Sequence, residues 1–118
     1  MTTARNIQQL EERIVGYPGP VLSVYLSVNL AFPENQKKGY AIRLKSALRE
    51  RGVPRDLAER VMELFQVERP QSRTMVVFAA PDGLIEVYRL RVDLPEEIRW
   101  GEPYVAPLVL AFDEHEPY

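Results

Sequence analysis

The stretch TMVVFAA-PDG-LIEVYRLRV (residues 74–92) constrains the fold most. Two runs rich in β-branched, aromatic and aliphatic residues flank Pro81-Asp82-Gly83. Pro presets φ for a turn, Asp bonds to nearby backbone and Gly accepts positive φ, so the pattern predicts a β-hairpin. In its second strand Leu84, Glu86, Tyr88 and Leu90 share one face, with Ile85, Val87, Arg89 and Arg91 on the other. A hairpin alone cannot bury enough surface, so further elements must pack on it.

VLSVYLSV (residues 21–28) supplies an interior strand. Leu22, Val24, Leu26 and Val28 make one fully apolar face, and Val21, Ser23, Tyr25 and Ser27 point the other way. Before it, Asn6 can cap a short helix carrying Ile7, Leu10 and Ile14, which Gly16 and the GYPGP cluster end. After it, NLAFPENQKKG is expected to be a loop. Residues 40–51 then place Ala41, Leu44 and Leu48 on one helical stripe, and Gly52 stops the helix. A second helix starts at Pro54 and buries Leu57, Val61, Leu64 and Phe65, so the short GVP joint implies a helical hairpin. LPEEIRW is expected to add an edge strand around Ile98–Trp100. The last helix runs from Val105 to about Glu114, with Pro107 tolerated in its first turn.

The expected fold is therefore α+β: a two-layer sandwich with a mostly antiparallel sheet of three or four strands and about four helices. The order is α-β-α-α-β-β-(β)-α. At 118 residues a single domain spanning 1–118 is expected. There is no cysteine, which excludes disulfides, thiolate metal sites and cysteine nucleophiles. No apolar stretch is long enough to span a bilayer, and residues 1–9 lack the form of a signal peptide, so a cytoplasmic protein without membrane contact is expected.

Charge is unevenly spread. From Lys37 to Arg60 eight basic residues stand against three acidic ones, a local excess of +5 in a chain whose net charge is −2. At about 100° per residue, Lys38, Lys45 and Arg49 fall within about 40° of one another, away from the apolar stripe, with Arg43 on a neighbouring face. With Lys37, these cations have the character of phosphate contacts. A solvated helix face explains the same residues.

Catalytic patterns are missing. The six glycines are scattered rather than clustered in a phosphate loop, and no serine has a histidine near it in the chain. Glu96 and Glu97 could be imagined as an acid–base pair, but adjacent residues point apart. Asp113-Glu114-His115-Glu116 holds the only histidine and lacks the paired histidines of a helical metal site. Neither a metal nor another cofactor is expected. A small enzyme using the acidic cluster is the least supported reading, and a solvated acidic edge the plainest one.

The ordered series VLSVYLSVNL, IRLKSALRE, TMVVFAAPDGLIEVYRLRVDLP and WGEPYVAPLVLAFDE resembles the N-terminal domain of bacterial members of the archaeo-eukaryotic peptide chain release factor family. The likeness covers the chain from about Val21. It implies a non-catalytic domain facing RNA or the ribosome, in translation termination or in ribosome rescue under stress. Lys37, Lys38, Arg43, Lys45 and Arg49 would contact phosphates of rRNA. It also implies further domains of the same protein, with residues 113–118 the stub of a connector to one of them. The family's Gly-Gly-Gln loop, its N-I-K-S loop and its Y-x-C-x-x-x-F segment are absent here. Asn35-Gln36-Lys37-Lys38 and Trp100–Tyr104 stand near the places of the last two, so stop-codon reading is not implied. The alternative is a protein-interaction module without nucleic acid, binding a partner or self-associating through Trp100, Tyr104 and a strand edge. The sequence leaves the oligomeric state open.

Overall fold

The computed structural model describes residue 9, residues 12–66 and residues 72–115, with the side chains of Lys37, Lys38 and 112–115 excepted. The expected cap at Asn6, the apolar positions Ile7 and Leu10, and Glu116 to the C-terminus lie outside these residues.

Four strands form one antiparallel sheet: β1 (Val21–Ser27), β2 (Thr74–Ala79), β3 (Ile85–Leu90) and β4 (Glu97–Gly101). Their spatial order is β3-β2-β1-β4. β1 is therefore interior, with Val24 opposite Val77 of β2 on one side and Ile98 of β4 on the other. The β2–β3 hairpin closes at Pro-Asp-Gly as expected. Ala80 donates its N–H to the Leu84 carbonyl at 3.0 Å, and Gly83 takes a φ of 117° that a side chain would strain.

The helices are α1 (Gly39–Glu50), α2 (Arg55–Leu64) and α3 (Ala106–His115), with helical backbone also at residues 12–15. Leu22, Val24 and Leu26 of β1, with Met75 and Val77 of β2, are buried against Tyr40, Leu44 and Leu48 of α1 and Leu57 and Val61 of α2. The alternate residues Val21, Tyr25, Val76 and Phe78 are buried against Ile14 and against Val105, Leu108 and Ala111 of the C-terminal part.

The α+β class and the antiparallel sheet are as the sequence implies, and the layering gains one member. Helical elements cover both faces of the sheet, where a two-layer sandwich was expected. Tyr25 and Phe78 make the second face large enough to need a cover: each aromatic ring buries roughly 150–250 Å².

A second difference concerns residues 33–38. The expected loop contains a 3-10 helix, Pro33–Lys38. Pro33 at its start fixes φ where no N–H is needed. Asn35 is fully buried and donates from Nδ2 to Ser27 Oγ at 3.0 Å and to the Asn29 carbonyl at 2.9 Å. An amide with partners inside the protein converts an otherwise free connector into a fixed turn. The turn then runs into α1 at Gly39, where a Cβ would come within 1.9 Å of the Glu34 carbonyl oxygen.

Among the described residues, buried Ser23 and Thr74 are also bonded. Ser23 Oγ accepts from the Tyr104 N–H at 2.9 Å. Thr74 Oγ1 donates to the Val92 carbonyl at 2.8 Å and accepts from the Leu94 N–H at 3.1 Å.

Candidate nucleic-acid interface

α1 forms because GYAIRLKSALRE is built largely of good helix formers whose apolar residues recur at helical spacing. Its inner stripe is Tyr40, Ala41, Leu44 and Leu48. The outer face carries Ile42, Lys45, Ser46 and Arg49, all exposed. Neither Lys45 nor Arg49 makes an ion pair with an acid among the described residues. Ile42, 67% exposed, adds an apolar spot to the same face.

α1 and α2 enclose a groove of about 690 Å³. Leu48, Val53, Ala58 and Met62 line it, with Lys45 and Arg49 on the α1 rim and Glu59 and Glu63 on the α2 rim. On that second rim Arg55 Nε lies 3.2 Å from Glu59 Oε1, so the acid is partly neutralised by its neighbour one helical turn away. The cationic character therefore belongs to the outer face of α1 rather than to the groove.

Arg43, expected among the phosphate contacts, is turned inward. Its Nη2 donates to Glu96 Oε1 at 2.6 Å and to Asn35 Oδ1 at 2.7 Å, and Nη1 donates to the Glu34 carbonyl at 3.1 Å. Glu96 also accepts from the Ser27 N–H at 3.3 Å. This network fastens α1, the 3-10 helix, β1 and the approach to β4 at one point. Sequence reasoning missed it because its members are spread from Ser27 to Glu96, and the only local signals were a proline before Asn35 and an arginine well round the helix from the basic stripe. Lys37 and Lys38 belong to the 3-10 helix, and their side chains lie outside the described set.

The acids weighed as a catalytic pair are separated in role. Glu96 holds Arg43, while Glu97 lies 3.8 Å from Arg99 Nη2. Among the described residues no group of three or more His, Asp or Glu side chains is placed to hold a metal ion. No described helix is long and apolar enough to cross a membrane.

Trp100 and Tyr104 are both half-buried, in different settings. Trp100 packs beside the α1/α2 core. Tyr104 lies under the Arg99 guanidinium, 3.6 Å from ring centroid to Cζ, and edge-on to Tyr25 at 5.6 Å. Its carbonyl accepts the Tyr25 hydroxyl at 2.5 Å. Burial pushes the Tyr25 phenol well above its ordinary pKa. Tyr104 is thus an anchor between β1 and the start of α3, while Trp100 stays beside the outer edge of β4.

No protein-family model matches the chain, and no curated protein is significantly similar to it.

Proposed function

We propose that this chain is a non-catalytic, RNA- or ribosome-facing domain of a release-factor-like protein, acting in translation termination or ribosome rescue alongside further domains. The observation that carries the reading is the outer face of α1, where Lys45 and Arg49 stand one turn apart, exposed and without a described acid partner. Two free cations at that spacing can follow a phosphate backbone, and the 3-10 helix that carries Lys37 and Lys38 leads directly into the N-terminus of the same helix. The ordered likeness of the strands and helical hairpin to the release-factor N-terminal domain supplies the choice of RNA over other polyanions. Arg43 acts here as a positioning residue that holds the 3-10 helix, and Lys45 and Arg49 as the contacts.

The test is co-sedimentation with ribosomes, and with structured rRNA fragments, across a salt series. Wild-type protein is expected to bind at low salt, with log affinity falling linearly in log salt. Replacing Lys45→Glu together with Arg49→Glu should weaken binding at least tenfold and lower that slope by about 1.5–2, the contribution of two phosphate contacts. Binding that is absent at low salt, or that survives the double reversal, removes the proposal.

A further inference from the structure

Among the described residues the sheet ends at β4, whose outer edge pairs with no strand. In an antiparallel strand the N–H and C=O of one residue point the same way, and successive residues alternate between the two sides. The Ile98 carbonyl accepts Arg51 Nε. Ile98 therefore directs its peptide groups to the open side, and so do Glu96 and Trp100 two residues away. An unpaired edge of this kind is a template for another strand. The surface beside it is concave and partly apolar, lined by Ile98, Trp100 and Pro103 in one groove and by Ile42 and Ala47 in the next.

We propose that β4 is a self-association edge, on which β4 of a second copy pairs antiparallel about a two-fold axis at Ile98. The two four-stranded sheets then continue into one.

The charges of the strand select this register. With Ile98 opposite Ile98 of the second copy, Glu97 of each copy faces Arg99 of the other. This is a non-hydrogen-bonded position, where facing side chains approach most closely. Glu96 faces Trp100, and the outward peptide groups of 96, 98 and 100 find partners. Shifting the axis to Arg99 keeps the same outward peptide groups at the junction but sets two arginines against each other at its centre. The opposite edge, β3, has no such match. Pairing centred on Val87 places Glu86 against Tyr88, and pairing centred on Tyr88 places it against Leu90.

Two contacts within one copy compete with the junction. Arg51 must leave the Ile98 carbonyl, and Arg99 must share its charge between its own Glu97 and that of the second copy. Arg51 is thereby a guard on the edge, and removing its side chain should favour pairing. The Arg99–Tyr104 stack helps to hold the guanidinium in place on the sheet face.

Sedimentation equilibrium at low salt tests the proposal. The mass of the wild-type protein is expected to rise from one copy toward two with concentration, and Arg51→Ala should lower the dimer dissociation constant. Glu97→Arg sets arginine against Arg99 in a homodimer, and Arg99→Glu sets glutamate against Glu97, so each variant alone should dimerise at least tenfold more weakly. An equimolar mixture restores two opposite-charge pairs and should recover the dimer. Recovery also shows that both variants are folded. A one-copy mass at every concentration for wild type and for Arg51→Ala overturns the proposal. So does a dimer indifferent to Glu97→Arg, or a mixture that stays dissociated while both variants keep the wild-type circular dichroism spectrum.

Discussion

Tyr25 joins a phenol hydroxyl to a backbone carbonyl inside the protein, and this sets a pH dependence. Its side chain is fully buried and donates to the Tyr104 carbonyl. The folded state holds the neutral form, and burial raises the phenol's pKa above the value of about 10 that it has in the unfolded chain. Its contribution is complete below pH 10. It is lost as pH climbs from 10 toward the higher folded value, because the unfolded chain releases the proton first. Tyr25→Phe is expected to cost about 1 kcal/mol at pH 7, from the missing hydrogen bond. That difference should vanish as pH rises from 10 to 11, because the wild type loses about 1 kcal/mol over that unit while the phenylalanine variant loses nothing. Urea unfolding of both proteins at pH 7, 10 and 11 checks both parts. The sequence shows Tyr25 only as a member of the less apolar face of a strand. Its partner comes from Tyr104, far along the chain, so neither its burial nor its bond could be read locally. Arg43 teaches the same point. Angular position on a helix separates inner from outer faces, and a flanking residue such as Arg43 is decided by what the rest of the chain places beside it.

Elements whose cause is local were the most legible. The Pro-Asp-Gly hairpin, the apolar face of β1 and the two helices around Gly52 all follow from side-chain period and turn chemistry. The end of α1 shows the mechanism. Gly52 has a φ of 69°, its N–H donates to the Arg49 carbonyl at 3.2 Å, and the Val53 N–H donates to the Leu48 carbonyl at 3.1 Å. This pair of bonds is the Schellman closure, and Val53 and Leu48 meet in the groove that follows. Gly52→Ala is expected to destabilise the protein by about 1 kcal/mol, since alanine must adopt the left-handed region. A fall in the thermal midpoint with an unchanged circular dichroism spectrum at 20 °C is the result to look for. Less legible was residues 33–38, where the 3-10 helix depends on the buried Asn35 and on Arg43. The third layer was also hidden: the spacing of Val105, Leu108 and Ala111 marks a buried face without saying which side of the sheet receives it.

For the molecule as a whole, β1 is the structural centre. It is hydrogen-bonded on both edges, buried on both faces and adjacent to both clusters of core side chains. Amide protons of β1 and of the adjoining β2 are therefore expected to exchange only through global unfolding, whereas those on the outer sides of β3 and β4 should exchange at least about 100-fold faster. Native-state hydrogen exchange read by NMR gives this ranking directly. The candidate site was half legible in these terms. The exposure of Lys45 and Arg49 on one face of α1 could be read from period alone, while the open edge beside Ile98 could be seen only once β4 had been placed next to β1. That placement has a further consequence, during synthesis. β1 leaves the ribosome before its partners β2 and β4, which begin only at Thr74 and Glu97. At about 5–20 residues per second, the nascent chain spends several seconds with its central strand made and unpaired. The helical hairpin α1–α2, which is complete before β2 begins, is the first element able to shield Leu22, Val24 and Leu26, and so to keep the unfinished chain from sticking to its neighbours.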